Sequence, residues 1–422
     1  MKKKALLILG ASNDQLFLLQ TAKNMGLQTV VVDANPNAVG LDEADYSQAI
    51  DFSKTQEVIA YVKQLISQGV MLSGVLTMGS DIPHLLAIIA QEFGWISPSF
   101  ETANITTNKF LMKECFREND IPIPNYALIE NPDTILSYWE EWNTKSIIIK
   151  PVDAAGSRGV SICQDPTQIF TLYTHAKENS KTKQVIIEEF IEGSQISTET
   201  IVYNGRYAHP GFADRVYEDT LNFHPYIMEN GGWQPSGLDA SVQKEVCALL
   251  EKIAQAIKLK KGVIKGDIVY STKYKKAMVI EVASRLSGGD FSASLVPLAH
   301  DINYVQTAIE IAINKTPNFK KLTKKTNYIV ANRYFFIPQG KLEEIVGLAF
   351  IHNHPNIEKL EFNYSIGDII PKIQNHGQRI GVFIVKAESR EKVQDIINLV
   401  YERVTFIVDK KTHSGNPHFY KV

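Results

Sequence analysis

The sequence predicts a mixed α/β and α+β chain in three units: a doubly wound α/β unit over residues 1–100, an α+β region over 101–320 and a small α+β unit over 321–422. Three observations carry this reading. Short apolar runs alternate with helical periodicity through the first hundred residues, as parallel strands with helical crossovers require. Beyond them lie β-branched strands that end in charged residues. The polar, lysine-rich stretch Asn314 to Thr326, with Pro317, then reads as a connector before a change in composition. At 422 residues the chain has room for about two to four domains, each with its own core.

In the first unit Ala5 to Leu9 reads as a buried strand, Gln15 to Met25 as a helix and Thr29 to Val32 as a second strand ending at Asp33. The alternation continues with a helix Thr55 to Ser67, a strand Gly74 to Thr77, the turn Met78-Gly-Ser80 and a helix Asp81 to Phe93. Lys2 to Lys4 before an apolar run imitate a secretory signal, but Gly10 to Gln15 interrupts the run after five residues, so a buried first strand is expected. Gly10-Ala-Ser-Asn-Asp-Gln15 lacks the later glycines of G-x-G-x-x-G, which argues for a tight strand-to-helix turn and against a dinucleotide site. In such units ligands lie near the carboxyl ends of the strands, which makes Gly79-Ser-Asp81 a substrate-facing candidate.

In the middle, Thr102 to Arg117 reads as one helix carrying Lys109 on a face shared with Met112 and Phe116. The strand Ser146 to Pro151 delivers Lys150 to its carboxyl end, and a lysine ending an apolar strand needs a partner such as phosphate. Next come Gly156 and Gly159 around Ser157 and Arg158, a loop able to close over phosphates with backbone N–H donors, although it is not a P-loop. The strand Val185 to Phe190 ends in Glu188 and Glu189, one of which must point inward. Glu199, on the strand Ser197 to Tyr203, is placed to face the same cleft. After the amphipathic helix Ala240 to Leu259, the strands Val263 to Tyr270 and Ala277 to Val282 pair through a polar turn and bring Asp267 and Glu281 together as a magnesium pair. Arg285, followed by Ser287-Gly-Gly289, supplies a bidentate donor and a backbone-rich loop.

In this order, these motifs resemble the ATP-grasp superfamily, and within it the carboxylate-amine ligases of the L-amino acid ligase type. The resemblance spans nearly the whole chain. It implies a pre-ATP-grasp domain matching Leu7 to Ser12, an ATP-grasp domain of two α+β lobes and a small carboxyl-terminal α+β domain. It also implies main-chain contacts to a purine around Glu189, Phe190 and Ile191, with Lys109, Lys150, Gly156, Ser157, Gly159, Glu188 and Glu199 completing the ATP site. Magnesium, with manganese as the alternative ion, would rest on Asp267 and Glu281. Glu229, Arg285, Ser287, Gly288 and Gly289 would meet substrate, and Arg285 and Lys150 would act in catalysis.

The implied reaction is amide or peptide bond formation through an acyl phosphate, with release of ADP and phosphate, on small carboxylates and amines such as amino acids. Glu229 would steer the amine. Alternatives are a bicarbonate-using carboxylase or carbamoyl-phosphate-type enzyme, and a nucleotide-binding protein without turnover. Departures from the family pattern are Ala283 where many members have Asn, no histidine in Glu229-Asn-Gly-Gly232, and Gln195 where several relatives carry an acid. With 44% hydrophobic and 21% charged residues and a net charge of -2, composition favours neither a nucleic-acid nor a membrane partner. The lysines of the connector lack interleaved aromatics. Cys115, Cys163 and Cys247 lack metal-ligand spacing and suit a reducing, cytoplasmic compartment. His352, His354 and His376 have no nearby carboxylate cluster and are not read as a zinc site. A homodimer is common in the resembling family.

Overall fold

The computed structural model describes residues 3–420, so Lys2 lies outside the described residues. The first unit is a four-stranded parallel sheet in the spatial order Tyr46–Ala49, Gln28–Asp33, Lys4–Leu9, Met71–Leu76. Strand order reverses beside Lys4–Leu9, and at such a switch point the loops after neighbouring strands diverge to leave a crevice. Those loops hold Asp14 on one side and Gly79 to Asp81 on the other, and both line the main cleft of the molecule. Helix Thr55–Ser67 has the bounds that its periodicity predicts.

The stretch expected as one helix from Thr102 to Arg117 is two, Phe100–Thr107 and Lys109–Glu118. Asn108 makes the break: its side-chain oxygen accepts from the amides of Phe110 at 2.9 Å and Leu111 at 3.1 Å. Asparagine at this position satisfies donors that would otherwise be orphaned. The break puts Lys109 in the first turn, where the helix dipole disfavours a cation, and its ammonium is held instead by acceptors across the cleft.

An antiparallel four-stranded sheet, in the order Tyr126–Ile129, Val185–Glu189, Ile147–Pro151, Ser161–Cys163, forms a separate lobe with its own apolar cluster that includes Ile135, Trp139, Ile149 and Ile187. We call it the lid. The glycine loop at Gly156 is its tip, between Ile147–Pro151 and Ser161–Cys163.

The largest sheet has eight strands in the order Ala277–Ala283, Lys261–Ser271, Gly193–Tyr203, Arg206–Arg215, Gly232–Gln234, Ile329–Phe335, Gly381–Ala387, Ile357–Phe362. It runs without interruption from the second lobe into the last unit, across residue 320. One apolar cluster joins Leu6 and Ile8 of the first sheet to Val296, Val305 and Ile309, and onward to Val330 and Ile384. The first unit, second lobe and last unit therefore share a core, whereas the lid packs its own. A further sheet, Ile369–Ile370, Gly340–Val346, Thr405–Val408, Lys411–Ser414, completes the last unit. Among the described residues no helix is long and apolar enough to cross a membrane.

Candidate active site

A cleft of about 740 Å³ lies between the lid, the eight-stranded sheet and the switch point of the first sheet. At its lid end the strand Val185–Glu189 splits its two acids between two faces, as alternation requires. Glu188 is buried with Lys150 Nζ at 2.8 Å and Lys113 Nζ at 3.4 Å. Burial alone would raise its pKa, but Lys113 and Lys150 together lower it below the usual glutamate range. Lys113 also donates to the carbonyls of Val279 and Ile280, at 3.1 and 2.9 Å, and burial pushes its pKa down to about 8 against the pull of Glu188. Glu189 turns the other way, to Asn125, Lys273 and Tyr274.

The amides of Glu189 and Phe190 donate to Asn125 O and Ser146 O, at 2.9 and 3.2 Å. Ile191, the next residue on the cleft wall, has an N–H with no acceptor among the described residues. A buried amide in that state is available to a ligand.

Asp267 and Glu281 stand directly opposite each other on paired antiparallel strands, with a bulge beside them at Ile280. Bulges next to functional sites re-aim side chains, and both acids face the cleft. Lys109 Nζ lies 3.6 Å from Glu281 and donates to Ala154 O at 2.6 Å. Burial would raise the Glu281 pKa, but Lys109 first, then Lys265, Lys150 and Arg215, hold it well below the usual range. Asp267 receives Arg215 at 2.8 Å and the Lys265 ammonium. Among the described residues no three His, Cys, Asp or Glu converge as a metal cage. Two carboxylates nevertheless suit magnesium, which draws its remaining ligands from water and phosphate. Ala283 pairs in register with Lys265, so a cation stands opposite it on the neighbouring strand.

At the far end Arg285 Nε donates to Asp81 Oδ1 at 2.7 Å, tying the second lobe to the switch-point loop. Gly79 N donates to Leu286 O at 3.1 Å and Gly289 N to Asp14 at 3.2 Å. A Cβ on Gly288 would sit 2.9 Å from the Gly79 Cα, so this approach requires glycine. Ser287 Oγ is buried on the cleft wall with no hydrogen-bond partner among the described residues. Phe291, Leu295 and Tyr334 add apolar surface.

Three expected site residues are placed otherwise. Gly159 does not line the cleft: at φ +70° it lets the loop fold onto its own strand, where a Cβ would meet Asn179 Cβ at 2.6 Å and Pro151 Cγ at 3.0 Å. Glu199 is 0% exposed and sits behind the Ser287 loop, accepting from Ser287 N at 3.1 Å, so it supports that loop and has no surface in the cleft. Glu229 lines the cleft with Arg215 and Arg379 both bound to its carboxylate, so its charge is shared with two cations. Burial opposes its ionisation, yet Arg215 and then Arg379 hold its pKa far below the usual range.

Glu199 yields a stability test. Burial raises its carboxyl to about 8, so the folded protein keeps the proton that the unfolded chain loses near the ordinary glutamate value. Stability is therefore given up as pH rises from about 4.5 to 8, and no more above that. In urea unfolding Glu199→Gln should gain on the wild type across that interval and run parallel to it elsewhere. A constant difference at every pH would show that Glu199 is ionised in the fold.

The sequence reading did not include Lys113, Arg215, Lys265, His376 and Arg379 in the site. Two of them carried a signal. Lys113 falls in the buried stripe of Lys109, Met112 and Phe116, and Lys265 shares a strand face with Asp267.

Comparison with known proteins finds relatives of this chain. Residues 106–289 match the ATP-grasp domain family, and residues 333–409 match the L-amino acid ligase C-terminal domain 2. An L-arginine-specific L-amino acid ligase of Bacillus subtilis is 23% identical over 316 residues, 73% of this chain and 73% of that protein. A carbamoyl-phosphate synthase of Methanobrevibacter smithii is 22% identical, over 75% of this chain and 82% of its own length. Among solved structures, an L-amino acid ligase from Bacillus licheniformis superposes with a TM-score of 0.82 at 16% identity, covering 97% of this chain and all of its own.

Proposed function

The chain belongs to the ATP-grasp superfamily, and from that premise we propose that it is a carboxylate-amine ligase joining an amino acid or similar acid to an amine at the expense of ATP. The observation that carries the reading is the cross-strand pair Asp267 and Glu281, with Lys109 reaching Glu281, in one cleft with the free Ile191 amide. ATP would lie with its purine edge at Ile191 and its phosphates toward Lys109, Lys150, Gly156 and Ser157. Magnesium on Asp267 and Glu281 would neutralise charge between the transferring and leaving phosphates. Lys265 supplies positive charge beside Ala283, which supports one ion there in place of two.

A substrate carboxylate oxygen would attack the γ-phosphorus as its bond to ADP breaks. The amine nitrogen would then attack the acyl carbon, losing a proton as phosphate departs. Arg285, the Ser287 hydroxyl and the Ser287 to Gly289 backbone are placed to hold the oxygens that gain charge. Arg215 and Arg379, fixed by Glu229, border the same space. Apolar surface from Phe291, Leu295 and Tyr334 favours an acid with an organic side chain over bicarbonate.

The test is magnesium-ATP-dependent phosphate release across pairs of amino acids and amines, with mass spectrometry of the product. The expected result is release requiring both partners and a product heavier by the amine less water. ADP formation driven by bicarbonate alone, or nucleotide binding without turnover on any pair, would overturn the proposal.

A further inference from the structure

The loop Ile373 to Arg379 belongs to the last unit yet closes on two other parts of the molecule. His376 donates its amide to Gly156 O at 3.1 Å, and its Nε2 lies 3.0 Å from Ser157 Oγ, at the tip of the lid. The same Nε2 lies 3.4 Å from the Glu229 amide nitrogen. Nearby, Gln374 Nε2 donates to the Tyr226 hydroxyl at 2.6 Å and Arg379 Nη2 to the Glu229 carbonyl at 2.6 Å. The lid meets this segment directly as well, through Ile162 N to Pro225 O at 2.8 Å and a bridge from Ser161 to Tyr226. Besides these main-chain contacts, the lid tip and the Tyr226 to Glu229 segment thus meet at one imidazole.

Ring chemistry suits the role. Burial first, then Arg379, Arg215 and Lys265 against the opposing charge of Glu229, hold the imidazole well below its ordinary pKa and therefore neutral. With its proton on Nδ1, Nε2 offers one lone pair, which the Ser157 hydroxyl at 3.0 Å and the Glu229 amide at 3.4 Å share. Because the lid has its own core and its tip carries two glycines and Ser157 at φ +59°, it is the part that can open.

We propose that His376 is a positioning residue that latches the phosphate-facing loop of the lid to the Tyr226 to Glu229 segment, so that closure over a nucleotide orders the substrate side of the cleft. The latch rests on the function proposed above only for the ligand that closes it.

Hydrogen exchange of the full-length protein tests the two parts separately. Without ligand, His376→Ala should speed exchange of amides 154–160 and 226–231 together, by roughly three- to tenfold for one lost hydrogen bond. His376→Gln, which can present an acceptor near the Nε2 position, should restore most of the protection at both. Adding the magnesium complex of adenylyl imidodiphosphate should protect both segments in the wild type but only 154–160 in His376→Ala. Ser157→Ala removes the same bond from the lid side and should reproduce the loss at 226–231 even if the histidine variants fold poorly. Loosening of one segment alone, or nucleotide protection of 226–231 that survives in both variants, would overturn the latch. An absence of protection anywhere in the wild type would instead count against the nucleotide site, while the ligand-free comparison still decides the latch.

Discussion

Glu281→Gln is expected to lower phosphate release by roughly 10²- to 10³-fold, the loss typical when one group that stabilises transferring charge is removed. Glu281 faces Asp267 across paired strands, and its depressed pKa keeps it ionised at any working pH. Neutralising it leaves Asp267 alone among Lys109, Lys265 and Arg215, a site that holds a divalent cation more weakly. The defect should ease partly as magnesium is raised, which a simple loss of folded protein would not do. Phosphate release titrated with magnesium reads both effects, and full turnover at ordinary magnesium would remove Glu281 from the metal site.

Glu188→Gln should cost about 3–5 kcal/mol of stability, the usual penalty for leaving a buried charge without its partner. Its carboxylate neutralises two ammonium groups, those of Lys113 and Lys150, which are 0% and 3% exposed. The pH dependence has a definite sign. Because the folded pKa of Glu188 is lowered, its contribution is present above the unfolded value near 4.5 and fades as pH falls below it. The deficit of the variant should therefore be full at neutral pH and shrink only in acid. Urea unfolding at pH 7 and pH 3.5 measures this; an equal deficit at both would mean that the lysines are not balanced by this carboxylate.

How much of this was legible in the chain follows from the range of each contact. That Asp267 and Glu281 come close could be read because they lie on one hairpin, but the bulge at Ile280 that sets them directly opposite could not. Three strands of the first sheet could be read from period, but the edge strand Tyr46–Ala49, mostly exposed and without an apolar run, could not. Arg215 and Arg379 could not: each looks like an ordinary surface arginine until distant strands and loops converge on Glu229. His376 lies 219 residues from its partner Ser157, and no local pattern encodes such a meeting. Glu199 failed for a different reason. Strand alternation selects the face of a residue, but not whether another loop, here Ser287 to Gly289, lies between that face and the cleft.

The unbroken eight-stranded sheet sets how such a protein can be taken apart and recombined. A cut near residue 320 would strip Ile329–Phe335 from its neighbour and leave Gly232–Gln234, three residues long, as a raw edge on the other piece. Exposed edges of this kind invite pairing with foreign strands. The last unit is therefore not a cassette that can be grafted between relatives by itself. The lid, which pairs its strands internally and fills its own core, is the natural piece to exchange, whereas residues 193–420 should travel together with the first unit whose core they share.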